Sequence, residues 1–180
     1  NAAGLVVYEH GRLLTAYYGC YSDFETTNAA ELRALYLALL VVNSLHQTAG
    51  PIKVFSNSTY AINSVIEYNQ EWEKHNWMQD DGEARKNRDM LMLLHEIYTK
   101  HSNIVEICHI PADAEVTGNR VAIGLAGMAL DQQLTDLSVS RDEVTLRHLG
   151  QQNNSIAKIP YSLFSRAEVK SMSWPPENGR

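Results

Sequence analysis

The sequence predicts an α/β domain built on a mixed sheet. Three observations carry this. Strand-like segments alternate with helix-periodic segments after an opening hairpin, the pattern of a sheet flanked by helices. The chain has 180 residues, 44% of them hydrophobic, enough to bury one ordinary core with chain to spare. From about Asp131 onward, Gln, Asn and Ser become frequent and apolar periodicity weakens. The expected organisation is therefore a domain over residues 1–130 and a C-terminal extension over 131–180 that packs loosely or docks on a partner.

Each element has its own reason. Gly4 to Tyr8 reads as a strand, Glu9 to Arg12 as a tight turn around Gly11, and Leu13 to Cys20 as a second, Tyr-rich strand. Ser22 to Asn28 is polar loop. Leu32, Leu35, Tyr36, Leu39, Leu40 and Val42 recur at helical spacing and predict a helix from about Ala29 to His46, stopped by Gly50-Pro51. Ile52 to Phe55 is a short buried strand. Ser58 or Thr59 can cap a helix with Tyr60, Ile62, Val65 and Ile66 on one side. Trp72 to Arg85 is charged and irregular. Asn87 or Asp89 caps a helix through about Lys100 that carries Met90, Leu91, Leu94, Ile97 and Tyr98. Ile104 to Ile110 is a strand closed by Pro111. The polar loop Ala112 to Gly118 leads into a small-residue helix from Asn119 to about Leu130.

Composition excludes some classes. Fifteen Lys and Arg against 21 Asp and Glu leave a net charge of −6, which argues against a surface that binds nucleic acid all over. No apolar run approaches the roughly 20 residues of a membrane span, so no membrane partner is expected. Cys20 and Cys108 are too few for a disulfide scaffold and fit an intracellular, reducing setting. No secretory signal opens the chain and Asn1 is not an initiator Met, so the start reads as processed, truncated or incomplete.

Four ordered motifs then carry a family resemblance. Thr26-Thr-Asn-Ala-Ala-Glu-Leu32 opens the long helix, and Ser56-Asn-Ser-Thr-Tyr60 joins a strand to a helix. Trp72-Glu-Lys-His-Asn-Trp77 precedes Lys86-Asn-Arg-Asp89. Ile110-Pro-Ala-Asp-Ala-Glu-Val-Thr-Gly-Asn119 leads to Leu125-Ala126. Together they resemble ribonuclease H of the type with a handle region, over about residues 1–130. The resemblance implies a five-stranded mixed sheet ordered 3-2-1-4-5, flanked by helices. The central first strand is expected to be missing from this chain. A strand from upstream residues, another chain or the tail, with Ser155 to Ile159 as the tail candidate, is expected to fill its place.

The resemblance also implies a chemistry. The family cuts the RNA strand of RNA–DNA hybrids with two Mg²⁺ ions, held about 4 Å apart by converging carboxylates. Of the family's four acids, the first lies on the absent strand and the second is Glu31. Asn57 stands at the third, Ile123 at the fourth, and Asp113 at the mobile His. Asn57 offers a neutral carbonyl and Ile123 offers no donor. A weak single-metal site of Glu31 and Asp113 is the most the set allows, and no cofactor is expected unless the domain is active with Mg²⁺. Asn28 resembles the family's minor-groove Asn, with Thr27 beside it. Lys74 and Trp77 of the handle complete the implied nucleic-acid contacts. The handle's charge is reversed, with Glu73 between the Trp residues and Asp80, Asp81 and Glu83 after them.

The plainer readings stand beside these. Glu31 also suits a helix N-terminus, and Asn57-Ser58 also reads as a capping pair. Trp72 and Trp77 also read as packing, and Asp113 and Glu115 as solvated loop acids. His75, His95, His101 and His109 lack metal-ligand spacing and read as surface or satisfied residues. Cys20 and Cys108 are expected free, on strands at opposite edges of the sheet. The expected function is a catalytically inactive ribonuclease H-like domain. It would act as a structural or interaction module of a larger protein or ribonucleoprotein assembly through its extension. The alternatives are an active hybrid endoribonuclease whose first Asp lies upstream, and a module that binds hybrid or RNA without cutting.

Overall fold

In the computed structural model the described residues are 2–9, 12–20, 26–45, 51–111, 113–114, 116–134 and 138–140. In chain order the elements are β1 (Ala2–Glu9), β2 (Arg12–Cys20), α1 (Thr27–Leu45), β3 (Ile52–Ser56), α2 (Thr59–Ile66), α3 (Asn69–Lys74), α4 (Arg88–His101), β4 (Val105–His109), α5 (Thr117–Asp131) and β5 (Ser138–Ser140). The chain forms two compact units. One joins residues 1–24 with 115–180; the other is the continuous stretch 25–114.

The discontinuous unit is a three-stranded antiparallel sheet, ordered β1-β2-β5, with α5 on one face. Pleating sends alternate residues to that face. Ala16 and Tyr18 of β2 are buried there with Val121, Leu125, Met128 and Ala129 of α5. Gly4 lets β1 and α5 approach closely. A Cβ on it would collide with the Ala122 carbonyl oxygen and stand 3.0 Å from the Ala126 nitrogen. A bulge between Val7 and Tyr8 shifts the hairpin register. Helix α5 ends in a left-handed Gln133, after which Leu134 N–H reaches back to the Ala129 carbonyl at 3.0 Å. The Leu134 carbonyl accepts from Cys20 N–H at 2.7 Å, and β5 then pairs with β2.

The continuous unit is a parallel pair, β3-β4, with four helices. Its register runs from Ile52 opposite Val105 to Ser56 opposite His109. Helices α1 and α4 pack on each other, and Leu32, Leu39, Val65, Leu91 and Leu94 are fully buried. Lys100 donates to Asn43 Oδ1 at 3.1 Å, and His101 Nε2 lies 2.8 Å from the same oxygen. The handle segment packs by aromatics. Trp72 meets Trp77 edge-on at 6.4 Å, Trp77 meets His95 at 5.6 Å, and the Arg85 guanidinium lies 4.4 Å over Trp72.

The mixed α/β architecture matches expectation. The described strands form two separate ladders, and among the described residues nothing pairs with the outer side of β1 or of β3, in keeping with an expected sheet that lacks its central strand in this chain. Details elsewhere differ from the sequence reading. Residues 27 and 28 belong to α1 because Thr26 Oγ1 accepts from Ala29 N–H at 3.3 Å and starts the helix early. Helix α5 likewise starts at Thr117. Helix α3 runs into the start of the irregular stretch, which also holds a Met78–Ala84 bridge. Ile66 points outward, 46% exposed, while Ile62 and Val65 are buried. Asn87 does precede α4, but with φ 61° and no side-chain capping bond. Beyond the sequence-drawn boundary, Ser138–Ser140 adds a strand, so β2 and its Cys20 lie inside their sheet and not at its edge. Both thiols are free. No described helix is long and apolar enough to cross a membrane. The turn residues 10–11, the helix end at His46, Glu115 and Ser155 to Ile159 lie outside the described residues.

Candidate active site

The site-bearing residues of the continuous unit sit where β3 gives way to α2. Ser58 is the N-cap of α2, in extended backbone, and its Oγ accepts from Ala61 N–H at 3.0 Å. The same hydroxyl donates to Glu31 Oε2 at 2.6 Å, a charge-assisted bond joining α1 to the start of α2. Ser58 is buried, and its own N–H donates to Ser56 Oγ at 3.2 Å. Asn57 beside it is exposed. Thr59 Oγ1 lies 3.4 Å from Nε2 of His109 at the end of β4, and both are exposed. Asp113 is exposed on a turn closed by Ala114 N–H to the Pro111 carbonyl at 3.0 Å.

Ile123 belongs to the other unit, on α5, where it is 41% exposed. Thr27 and Asn28 are exposed on the first turn of α1. Lys74 is exposed and bonds Glu71 at 3.4 Å, and His75 Nε2 lies 3.0 Å from the other Glu71 oxygen. These bonds, with His75 the larger cause, hold the Glu71 carboxyl below its usual range. Trp77 is only 5% exposed between Trp72 and His95, so its ring has no open face for a base. Burial thus removes it from the expected nucleic-acid contacts. His95 Nε2 lies 3.2 Å from Glu73, another handle carboxylate already engaged.

The resemblance implies two Mg²⁺ ions. Mg²⁺ prefers several oxygen donors in near-octahedral array. Among the described residues no three His, Cys, Asp or Glu side chains group to hold a metal. Asn57 carries no charge, Ile123 has no donor atom, and one Glu31 oxygen is taken by Ser58. The described residues do not fit a two-metal centre. Sequence reasoning missed the Glu31–Ser58 bond and the Thr59–His109 contact. The capping pattern marked Ser58, but partners 27 and 50 positions away leave no local signal.

The RNase H family pattern matches residues 1–131. The chain belongs to the RNase H family. Curated relatives include ribonuclease HI of Haemophilus ducreyi, 36% identical over 74 residues, covering 41% of this chain and 46% of that protein. Ribonuclease H of Clostridium botulinum is 30% identical over 108 residues, covering 59% of this chain and 68% of its own. Ribonuclease H of Neorickettsia sennetsu is 32% identical over 77 residues, 43% of this chain and 49% of that one. The chain thus spans about half the length of the Haemophilus ducreyi and Neorickettsia sennetsu proteins. Among solved structures, a type 1 RNase H with the type 2 active-site motif superposes with TM-score 0.54 at 16% identity, covering 88% of this chain and 89% of that one. A foamy viral protease-reverse transcriptase in complex with RNA/DNA hybrid superposes with TM-score 0.54 at 18% identity, covering 71% of this chain and 19% of that one. At such identities the shared property is the RNase H fold.

Proposed function

We propose that this RNase H domain is catalytically silent and serves as a structural or interaction module of a larger intracellular assembly. One observation carries the reading. Glu31, which the resemblance puts at a family acid position, is engaged by the Ser58 hydroxyl at 2.6 Å, and the neutral Asn57 and Ile123 stand where the resemblance puts two of the other acids. Catalysis by paired ions needs carboxylates that converge on the metals. A bonded Glu and a neutral amide do not supply that charge.

The handle supports the same reading. Glu71, Glu73, Asp80, Asp81 and Glu83 are exposed there, and Lys74 is committed to Glu71. Phosphate contacts dominate nucleic-acid affinity, so an acidic handle weakens the grip on a hybrid. Thr27 and Asn28 keep an exposed polar pair on α1 for a residual contact with RNA or hybrid. The extension supplies a segment for a protein partner.

The test is cleavage of a labelled RNA–DNA hybrid by the natural full-length protein in Mg²⁺ and in Mn²⁺, beside Glu31→Gln. The expected result is no cutting beyond the level of that variant. Cutting that disappears in Glu31→Gln would overturn the silent reading and assign the missing carboxylates to upstream residues. The same samples on a native gel are expected to show little hybrid retained at physiological salt.

A further inference from the structure

Helix α3 leaves one face to solvent. Tyr68, its N-cap residue, then Glu71, Trp72 and His75 follow at i, i+3, i+4 and i+7, so they share that face. Asn69 and Glu73, about a quarter-turn round, are spent: Asn69 is buried and Glu73 reaches His95 on α4. On the open face Tyr68 is 45% exposed, and its ring meets the half-buried Trp72 with centroids 5.3 Å apart. Ile66, the last residue of α2, is 46% exposed just before it. Large apolar side chains gathered at a solvated face and rimmed by charge mark a contact surface.

The rim is acidic. From Glu67 to Glu83 the chain carries Glu67, Glu71, Glu73, Asp80, Asp81 and Glu83, all exposed, against Lys74 alone. Lys74 and His75 are both turned onto Glu71. The loop acids belong to the same body as the aromatic face. Arg85 N–H donates to the Trp77 carbonyl at 3.0 Å, Met78 bridges Ala84, and the Arg85 guanidinium lies over Trp72. Asp80, Asp81 and Glu83 are at most four residues from Trp77 or Arg85, so their backbone stands within about 15 Å of that anchor. The Arg85 contact also shows what these rings accept, a guanidinium 4.4 Å from the indole centroid. Tyr68 offers a second, more exposed ring, with Glu67 beside it in sequence and Glu71 one turn on.

We propose that this face of the handle docks an Arg-rich segment of a partner protein, with a guanidinium stacked on Tyr68 and others paired with Glu67, Glu71 and the acids of the 80–83 loop. Charge complementarity decides the occupant. The same acids repel a phosphate backbone. A second copy brings the same acidic face and its own net charge of −6. An apolar partner would desolvate carboxylates without supplying counter-charges. Arg suits the face better than Lys, because a planar guanidinium both stacks on rings and forks onto carboxylates. An extended segment of about ten residues reaches about 30 Å, enough to lie along the aromatic face and the loop together. The inference rests on the reading of this domain as an interaction module, and it names the surface used and the chemistry of the partner.

The test is fluorescence anisotropy of a labelled peptide of alternating Arg and Gly, about ten residues long, titrated with the full chain beside a Lys–Gly peptide of equal length. The Arg–Gly peptide is expected to bind about threefold tighter than the Lys–Gly one. Tyr68→Ala is expected to weaken it about fivefold. Asp80→Asn, Asp81→Asn and Glu83→Gln together are expected to weaken it about tenfold and to flatten its salt dependence. Glu106→Gln removes an exposed carboxylate of β4 and is expected to leave affinity unchanged. Absence of binding, equal affinity for the Lys–Gly peptide, or equal losses in Glu106→Gln and the handle variants would overturn the proposal. So would tighter binding of a labelled RNA–DNA hybrid that the same handle variants abolish, or self-association of the chain that Tyr68→Ala abolishes. Peptide binding is read without any cleavage, so cutting of a hybrid overturns the silent reading alone.

Discussion

Ser58 uses one oxygen twice. It accepts from Ala61 N–H and donates to Glu31, so it ties the start of α2 to the carboxylate on α1. An N-cap hydroxyl contributes about 0.5–2 kcal/mol, and a hydrogen bond to a charged group about 1.5–3 kcal/mol. The two share an atom and do not simply add. Ser58→Ala is expected to lower unfolding stability by about 2 kcal/mol, read as a fall in urea midpoint. Ser58→Thr, which keeps the hydroxyl, is expected to recover most of it. At this scale the sequence was partly legible. The Asn57-Ser58-Thr59 pattern announces a cap because capping is local. The Glu31 partnership is invisible without the fold, since nothing along the chain says which helix will lie beside the cap. Trp77 shows the converse limit: its spacing was recognisable, but only the cage of Trp72 and His95 shows that its faces are used up.

Elements were legible in proportion to their length and period. Helix α4 was readable because Leu91, Leu94 and Ile97 fall on one buried side over 14 residues. Helix α3 has six residues and buries only Asn69, too short for any period to show. Strand β5 is Ser-Val-Ser, which carries no pattern of its own and exists by pairing with β2. The junction of β1 and α5 depends on an absent side chain. Gly4→Ala would drive a Cβ into the Ala122 carbonyl oxygen, and backbone on both sides leaves little room to yield. Overpacking of this kind destabilises by about 1–3 kcal/mol. The expected outcome is a loss in that range by urea unfolding, with exchange of the α5 amide hydrogens accelerated more than those of α4.

For the whole molecule, net charge is dominated by acids, and two exposed carboxyls are held below their usual value of 4.5. Glu71 owes this first to His75 and then to Lys74, and Glu106 first to Lys53 at 3.2 Å. A carboxyl that is more acidic in the folded state favours folding above its unfolded value. That contribution is lost as pH falls through the depressed folded value. Both sites are solvent-exposed and screened, so their share is modest. Stability is expected to stay level near neutrality and fall below pH 4.5, and Glu71→Gln with Glu106→Gln to make that fall shallower in acid titrations followed by circular dichroism.

The division of the chain has a further consequence, in time. The unit made of residues 25–114 is contiguous, so everything it needs leaves the ribosome in one stretch. The other unit is not. Its hairpin emerges first, but α5, which buries one face of that hairpin, ends at Asp131. At about 5–20 residues per second, the nascent hairpin waits on the order of 5–20 seconds with Val6, Ala16 and Tyr18 uncovered. During that interval the apolar face that α5 will bury is open to neighbouring nascent chains. Synthesis at a slower pace, or at higher polysome density, would lengthen that exposure without changing any contact in the finished protein.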